Sequence, residues 1–279
     1  MLQNFRRDDR TIDAAIRWVG DGGGAPFFLY VNLQNAHFPY PVPAEWPRRF
    51  GRTPEFRMSL GIYPRERVED VRNLYADALD FVDVQIGRLI DHLKARSLWS
   101  DTIFVLLSDH GQAFQEHGFG GHASKIFDEV MKVPLIFHGP GVEKGVDPRP
   151  AELIDVPSSL CSLLGIPPHP AFQGTDLFAP APPKERSRFM VAHTPLAMQY
   201  GVERGRWKLI YDEPLKMAAL YDLRRDPGET QDLSAVEPRI LRELLRQAAD
   251  WRDLQLEYYR NPQRMATEYP PVLEETAPR

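Results

Sequence analysis

Apolar residues recur with two different periods along the first 165 residues. Between Arg65 and Trp99 they return every three or four residues, which predicts a long amphipathic helix with one buried face. That face comprises Val71, Leu74, Ala78, Val82, Ile86, Leu89 and Leu93. Short apolar runs at residues 26–33, 102–107 and 133–137 instead predict buried strands. The alternation of helices and strands predicts an α/β domain with a layered, mixed or mostly parallel sheet.

The composition changes after Pro167, where prolines crowd a short stretch that cannot form regular structure. Before it, residues 155–164 predict a helix that Gly165 ends. Beyond it, the pattern predicts four short antiparallel strands, at residues 189–193, 199–203, 207–211 and 219–223, and then a helix over residues 238–259. We therefore expect a main domain over residues 1–180, a small C-terminal α+β subdomain over 181–262 and a loose tail over 263–279.

Composition and charge argue against several classes of protein. The chain has 279 residues, and its 34 basic and 39 acidic residues are interspersed, with a net charge of -5, so nucleic acid is not an expected partner. We expect no membrane segment, because the longest apolar runs fall far short of the roughly 20 residues that a membrane helix needs. The charged first residues predict no secretory signal, which leaves localisation open. The single cysteine, Cys161, excludes an internal disulfide and a multi-cysteine metal cluster.

The Ser-Asp-His-Gly run at residues 108–111 is the most informative stretch for chemistry. It follows a predicted strand, and ligands in open α/β sheets bind outside the carboxyl ends of the strands. A carboxylate and an imidazole at such an end, Asp109 and His110, can both turn toward one cation. The alternative is that Asp109 caps the next helix and that His110 is a surface residue.

The order of motifs resembles the sulfatase branch of the alkaline-phosphatase superfamily. The matching segments, which together span roughly residues 10–235, are residues 26–31, 37–40, 86–89, 101–103, 108–111, 133–136, 139–141, 155–160, 165–167, 173–174, 220–223 and 226–229. The resemblance implies an alkaline-phosphatase-like layered sheet with its N-terminal strands missing. It also implies metal-dependent hydrolysis of a sulfuric ester, either of a small molecule or of a glycan.

By the same resemblance, Asp109 and His110 correspond to the family's second pair of metal ligands. Many sulfatases have Asn at the position of His110 and bind calcium, which makes calcium the metal that the resemblance implies. An imidazole is a softer ligand that suits zinc or manganese, so these metals stay open as alternatives.

Three basic residues are candidates for binding the ester anion. His37 resembles the histidine of the family's His-x-Pro segment, where a cationic donor would stabilise charge on the transferred group; its alternative is a surface histidine braced by Pro39. The family also places one Lys or His before its Val-Pro-Leu strand, and here either His122 or Lys125 could take that role. We favour His122, because Lys125 near a helix start could simply be solvated. His117 is a further candidate for the pocket.

The sequence contains no Cys/Ser-x-Pro-x-Arg motif, which carries the nucleophile in sulfatases. Cys161 is followed by Ser-Leu-Leu-Gly, and the Thr-Pro-Glu-Phe-Arg run at residues 53–57 has the wrong spacing. The family's first carboxylate pair is not found either. We therefore expect a fragment of a hydrolase that is inactive alone. Three origins stay open: the C-terminal part of a longer sulfatase, one product of a split gene with a complementary N-terminal chain as its partner, or a degenerate remnant. Two alternatives stay open: a phosphoric-ester hydrolase or phospho-group transferase of the same superfamily, and a non-catalytic half-domain that binds an anion or docks with a partner.

Overall fold

The computed structural model describes residues 7–22, 24–51, 59, 61–180, 186–194 and 197–273. The chain divides into two compact units. The first comprises Met1–Phe104, Gln112–Gly121 and His138–Pro140, and the second comprises Val105–Gly111, His122–Phe137 and Gly141–Arg279. Residues 53–57, with their Thr-Pro-Glu-Phe-Arg run, and residues 181–185, at the predicted domain boundary, lie outside the described residues. The division near residue 180 therefore stays a prediction.

Two helices build the first unit, α1 (Asp8–Asp21) and α2 (Val68–Ala95). The long helix that the apolar period predicts is confirmed, and five of its seven predicted face positions are buried: Val71, Leu74, Ala78, Leu89 and Leu93. The C-terminal part of this face packs against the apolar side of α1. Its N-terminal part packs in a second cluster with the buried side chains of Tyr40, Tyr63 and Phe114.

The start of α1 is fixed by the buried carboxylate of Asp8. Its oxygens accept hydrogen bonds from the backbone N–H groups of Gln34 and Asn35, both at 2.8 Å, and its own N–H donates to the Asn35 side chain at 2.9 Å. Burial raises the pKa of Asp8, although the hydrogen bonds from Asn35 and Gln34 oppose this effect. These bonds join the start of α1 to the segment that follows residue 33.

The prediction of a buried strand over residues 26–33 is wrong. The segment belongs to no strand, and Phe28 and Tyr30 are 81% and 76% exposed. Leu29, Val31 and Leu33 alternate with them and pack against the helices. The period of two is therefore real, but a strand also needs hydrogen bonds from a neighbouring strand, and none of the described strands pairs with this segment.

The other two apolar runs of the first half do form strands. β1 (Phe104–Leu107) pairs with a later strand, β4 (Leu135–His138). Between them lie a short antiparallel pair and a one-turn helix: β2 (Ala113–Phe114), β3 (Gly120–Gly121) and α3 (Asp128–Met131). The predicted helix over residues 155–164 is confirmed as α4 (Asp155–Leu164). It ends at Gly165, whose φ of 66° is in the left-handed region that glycine favours.

The second unit contains a four-stranded antiparallel sheet, as the sequence predicts, which we call the C-terminal sheet. Its strands follow chain order: β5 (Arg188–Thr194), β6 (Ala197–Arg204), β7 (Trp207–Asp212) and β8 (Met217–Asp222). The predicted final helix is confirmed as α5 (Pro238–Tyr259), and its Leu244 and Ala248 bury one face of the sheet. The other face packs against Ile126.

The described residues after Pro262, where the sequence predicts a loose tail, include regular structure. They form a short helix, α6 (Pro262–Thr267), whose first turn is capped by the Asn261 side chain. The Tyr258 hydroxyl then donates to the Glu268 carbonyl at 3.0 Å, and Gln255 donates to the Pro271 carbonyl at 2.9 Å. These hydrogen bonds hold the segment against α5. A search of the described helices finds none long and apolar enough to cross a membrane.

The N-terminus of α4 carries a partly buried charge cluster. The Arg186 guanidinium lies 2.5 Å from the fully buried Asp155 carboxylate and 3.0 Å from Glu152. Burial raises the pKa of Glu152 to about 7, and the neighbouring Asp155 adds to the effect, while Arg186 opposes it. Because this pKa is higher than the ordinary value of 4.5, the folded protein holds a proton that the unfolded chain releases between these pH values.

We therefore expect Glu152→Gln to stabilise the protein at pH 8 and to have little effect at pH 4. The stability that protonated Glu152 contributes is complete below pH 4.5 and is lost as the pH rises through about 7, so the gain at pH 8 should be about 1–3 kcal/mol. Urea unfolding at several pH values measures it. The exposed Glu143→Gln is the control, and an equal effect of Glu152→Gln at pH 4 and pH 8 would show that the burial of Glu152 is not the cause.

Candidate functional site

The Ser-Asp-His-Gly run leaves β1 in a tight turn that its own polar groups stabilise. The Ser108 hydroxyl donates to the His110 carbonyl at 2.7 Å, and the His110 N–H donates to the Asp109 carboxylate at 3.0 Å. The Asp109 side chain is 85% exposed and that of His110 is 34% exposed. The turn thus brings both candidate metal ligands to the surface of the second unit.

The hydrogen bond of the imidazole determines which nitrogen can bind a cation. His110 Nδ1 donates to the Gly111 carbonyl at 2.8 Å, so Nε2 carries the lone pair. This Nε2 lies 3.7 Å from Asp109 Oδ1. Two ligand atoms bonded at about 2.0–2.5 Å to one cation are separated by roughly 3–3.5 Å. A small rotation of either side chain would therefore let both bind one ion.

Asp109 and His110 fit only part of a metal site. Within the described ranges, no group of three or more His, Cys, Asp or Glu side chains is arranged to hold a metal ion. The pair can supply two ligands, and among these residues no third such side chain is arranged to bind the same ion.

A backbone hydrogen bond from Gly111 attaches this turn to the segment around α3. The Gly111 N–H donates to the Val130 carbonyl at 2.7 Å. A Cβ at this position would overlap the carbonyl oxygen of Glu129, so the close approach of the two backbones requires glycine. The position of the metal-ligand pair therefore depends on the position of α3.

His122 lies directly beside the metal-ligand pair. Its ring stacks on that of His110, with 3.8 Å between the ring centroids and 23° between the planes. In this stacked arrangement the nitrogens of the two rings do not converge on one ion. The geometry is therefore suited to a His122 that contacts a group bound next to the metal-ligand pair.

Lys125 is partly buried and paired rather than simply solvated. Its Nζ lies 3.0 Å from Asp212 Oδ2, at the end of β7. The same oxygen accepts a hydrogen bond from Gln199 Nε2 at 2.9 Å. Burial tends to raise the pKa of Asp212, but the hydrogen bonds from Gln199 and Lys125 outweigh it and hold the pKa below its usual value. Asp212 is therefore a carboxylate that stays ionised beside Lys125.

A buried ion cluster, which sequence reasoning missed, supports the same segment. The fully buried Nζ of Lys208 lies 2.6 Å from Asp128 Oδ1 and 2.7 Å from Glu229 Oε1. Burial tends to raise the pKa of Asp128, but the ammonium groups of Lys208 and Lys132 hold it below its usual value. Burial raises the pKa of Glu229, with Lys208 opposing the shift. The only signal in the sequence is a lysine inside the apolar run at residues 207–211.

His37 and His117 belong to the first unit. His37 is exposed, and its Nδ1 donates to the Phe38 carbonyl at 2.8 Å. His117 lies in the connection between β2 and β3. The structure thus brings together Asp109, His110 and His122 in the second unit, with Lys125 three residues further along the chain.

Comparison with protein families and curated relatives gives a consistent result. The family model for sulfatases matches residues 3–166. Choline-sulfatase from Rhizobium meliloti is 30% identical over 187 residues, which cover 62% of this chain and 35% of that protein. Arylsulfatase K from Danio rerio is 24% identical over 300 residues, which cover 88% of this chain and 57% of that protein. The chain spans about a third to somewhat over half of the length of these relatives.

Solved structures show the same fold. A Bacteroides thetaiotaomicron crystal structure superposes with a TM-score of 0.73 at 20% identity, covering 96% of this chain and 69% of that one. A protein solved with its substrate D-glucosamine-2-N,6-O-disulfate gives 0.58 at 22% identity and covers 71% and 42%. A phosphonate monoester hydrolase from Silicibacter pomeroyi gives 0.58 at 24% identity and covers 67% and 42%. The alkaline-phosphatase-like fold class that the sequence predicts is confirmed.

Proposed function

The chain belongs to the sulfatase family, and we propose that it forms part of a metal-dependent sulfuric ester hydrolase. One observation carries the proposal. The family match includes the Ser-Asp-His-Gly run, where Asp109 Oδ1 and His110 Nε2 lie 3.7 Å apart and the His122 ring stacks on that of His110. A candidate metal-ligand pair and a candidate anion-binding residue thus occupy one surface.

Each candidate residue has a distinct role in this proposal. Asp109 and His110 hold a divalent ion, which when bound would act as a Lewis acid on an ester oxygen. His122 and Lys125 bind the ester anion, and His37 is a further donor to it. Calcium is the ion that the family resemblance favours, and the imidazole of His110 supports zinc or manganese instead.

We further propose that the nucleophile and the remaining metal ligands come from polypeptide outside this sequence. Two observations support this part of the proposal. The chain matches only 35% of the choline-sulfatase, and its sequence has no Cys/Ser-x-Pro-x-Arg motif. Without a nucleophile there is no covalent intermediate to divide the hydrolysis into two easier steps. Either a longer form of this chain or a complementary N-terminal chain would supply it.

The substrate in this proposal is a sulfate ester of a small molecule or of a glycan. The name of the choline-sulfatase supports the first class. The structural neighbour solved with D-glucosamine-2-N,6-O-disulfate supports the second. The likeness to a phosphonate monoester hydrolase supports an alternative function, the hydrolysis of a phosphoric or phosphonic ester at the same site.

The metal-binding role of Asp109 and His110 can be tested on the chain as it stands. We expect Zn²⁺ or Mn²⁺ to bind weakly, and Asp109→Asn or His110→Ala to lower the affinity at least about tenfold, because each removes one of two ligands. Isothermal titration calorimetry with Zn²⁺, Mn²⁺ and Ca²⁺ in turn measures it. His193→Ala, which removes an exposed histidine on β5, is the control. Unchanged binding in the His110→Ala protein would refute the assignment.

A test of the proposed hydrolytic activity requires the protein made from the complete gene, including any in-frame sequence before Met1. We expect it to hydrolyse an aryl sulfate faster than an aryl phosphonate. Lys125→Met or His122→Ala should lower kcat/KM by about a hundredfold, since each removes a donor to the developing charge. Lys144→Met, at an exposed position, is the control. Faster turnover of the phosphonate would favour the alternative function, and full activity of both variants would refute their role.

A further inference from the structure

Residues 122–126 carry two of the proposed anion-binding side chains and lie against the C-terminal sheet. The Lys125 ammonium contacts the Asp212 carboxylate at 3.0 Å, with 30% and 15% of the two side chains exposed. Asp212 is the last residue of β7, so its place is set by the sheet. The direction of the Lys125 side chain therefore depends on a residue 87 positions further along the chain.

The pairing of β6 with β7 fixes Asp212 through Gln199. The two residues lie directly opposite each other in the ladder. Gln199 is only 4% exposed, and its Nε2 donates to Asp212 Oδ2 at 2.9 Å. Its Oε1 accepts a hydrogen bond from the N–H of Ile126 at 3.3 Å. One side-chain amide thus holds both the carboxylate that meets Lys125 and the backbone next to Lys125.

Hydrophobic packing also holds residues 122–126 against the C-terminal sheet. Ile126 is fully buried among Met190, Ala192, Ile210 and Tyr221 of the C-terminal sheet. Its Cδ1 lies over Gly201, where a Cβ would come within 2.9 Å of it and would also overlap the Leu209 carbonyl oxygen. The sheet therefore encloses the Ile126 side chain. Because Lys125 directly precedes Ile126, this packing also restrains the backbone of Lys125.

We propose that Asp212 and Gln199 are positioning residues, which hold the Lys125 ammonium ready for the ester anion. The inference deepens the proposed function and rests on it. An ammonium has three N–H donors, and Asp212 occupies one of them, which leaves two for an anion. A flexible lysine that is already oriented loses less conformational freedom when the anion binds. Preorganised donors of this kind are the ones that stabilise charge most effectively.

Because Asp212 is negatively charged, the effect of its removal on anion binding distinguishes three roles for this residue. If Asp212 only competed with the anion for Lys125, its removal would strengthen the binding of an anion. If Asp212 positions Lys125, its removal weakens that binding. If the pair only stabilises the fold, the affinity stays the same once the variant is shown to be folded.

Sulfate binding by the full chain distinguishes these outcomes. Lys125→Met, Asp212→Asn and Gln199→Met should each raise the Kd for sulfate by about tenfold, as expected when one charge-assisted hydrogen bond is lost. The double variant of Lys125→Met with Asp212→Asn should bind no more weakly than Lys125→Met alone, because the two residues act through one group. Glu213→Gln is the matched control, since it removes the same charge one residue away and breaks a pair with Arg252 instead.

A second measurement does not require sulfate. In protein labelled with ¹³C at lysine Cε, the NMR order parameter of Lys125 should fall in Asp212→Asn and stay unchanged in Glu213→Gln, and Lys125→Met assigns the signal. Unchanged order in Asp212→Asn, or sulfate affinity equal to or higher than that of the unmodified chain, overturns the inference. If Lys125→Met itself leaves sulfate binding unchanged, the proposed anion site fails, and the positioning role fails with it. Weaker binding in Lys125→Met but not in Asp212→Asn removes only the positioning role.

Discussion

The buried ammonium of Lys208 is the contact on which the arrangement of the second unit depends most. It lies between the carboxylates of Asp128 and Glu229, and a buried charge that loses its partner costs about 3–5 kcal/mol. Asp128 begins α3, and its N–H also donates to Glu229 at 2.6 Å. The cluster therefore attaches α3 to the C-terminal sheet, and the bond from Gly111 to Val130 extends this attachment to the candidate metal ligands Asp109 and His110.

The C-terminal sheet consequently also supports the turns that carry the candidate site residues of the second unit. Its strands β6 and β7 supply Gln199, Lys208 and Asp212, which make polar contacts to Ile126, to Asp128 at the start of α3, and to Lys125, respectively. The residues proposed to contact the metal and the anion lie on short turns with little secondary structure of their own. Turns of this kind hold a defined geometry only when a rigid element supports them. Here the supporting element is an antiparallel sheet that follows later in the chain.

Structural features whose cause lies within one short segment could be predicted from the sequence, and features that depend on distant residues could not. Helices α2, α4 and α5 were predictable because the apolar period and the ending signals lie within each segment. The metal-binding role of Asp109 and His110 stays a prediction, and only their proximity follows directly from the sequence, because the two residues are adjacent. That residues 26–33 form no strand was not predictable, because a strand needs a neighbouring strand to pair with and that depends on tertiary structure. Nor was the ion cluster, because Asp128 lies 80 residues from Lys208.

Amide hydrogen exchange can show directly whether the C-terminal sheet holds the segment that carries the candidate anion-binding residues. The N–H groups of Ile126 and Asp128 donate to Gln199 and Glu229. If the segment and the sheet open as one cooperative unit, these two amides should exchange as slowly as that of Leu209 in the centre of β7. Lys208→Met should then speed the exchange of all three together. Fast exchange of Ile126 and Asp128 while Leu209 stays protected would show that the sheet does not hold the segment.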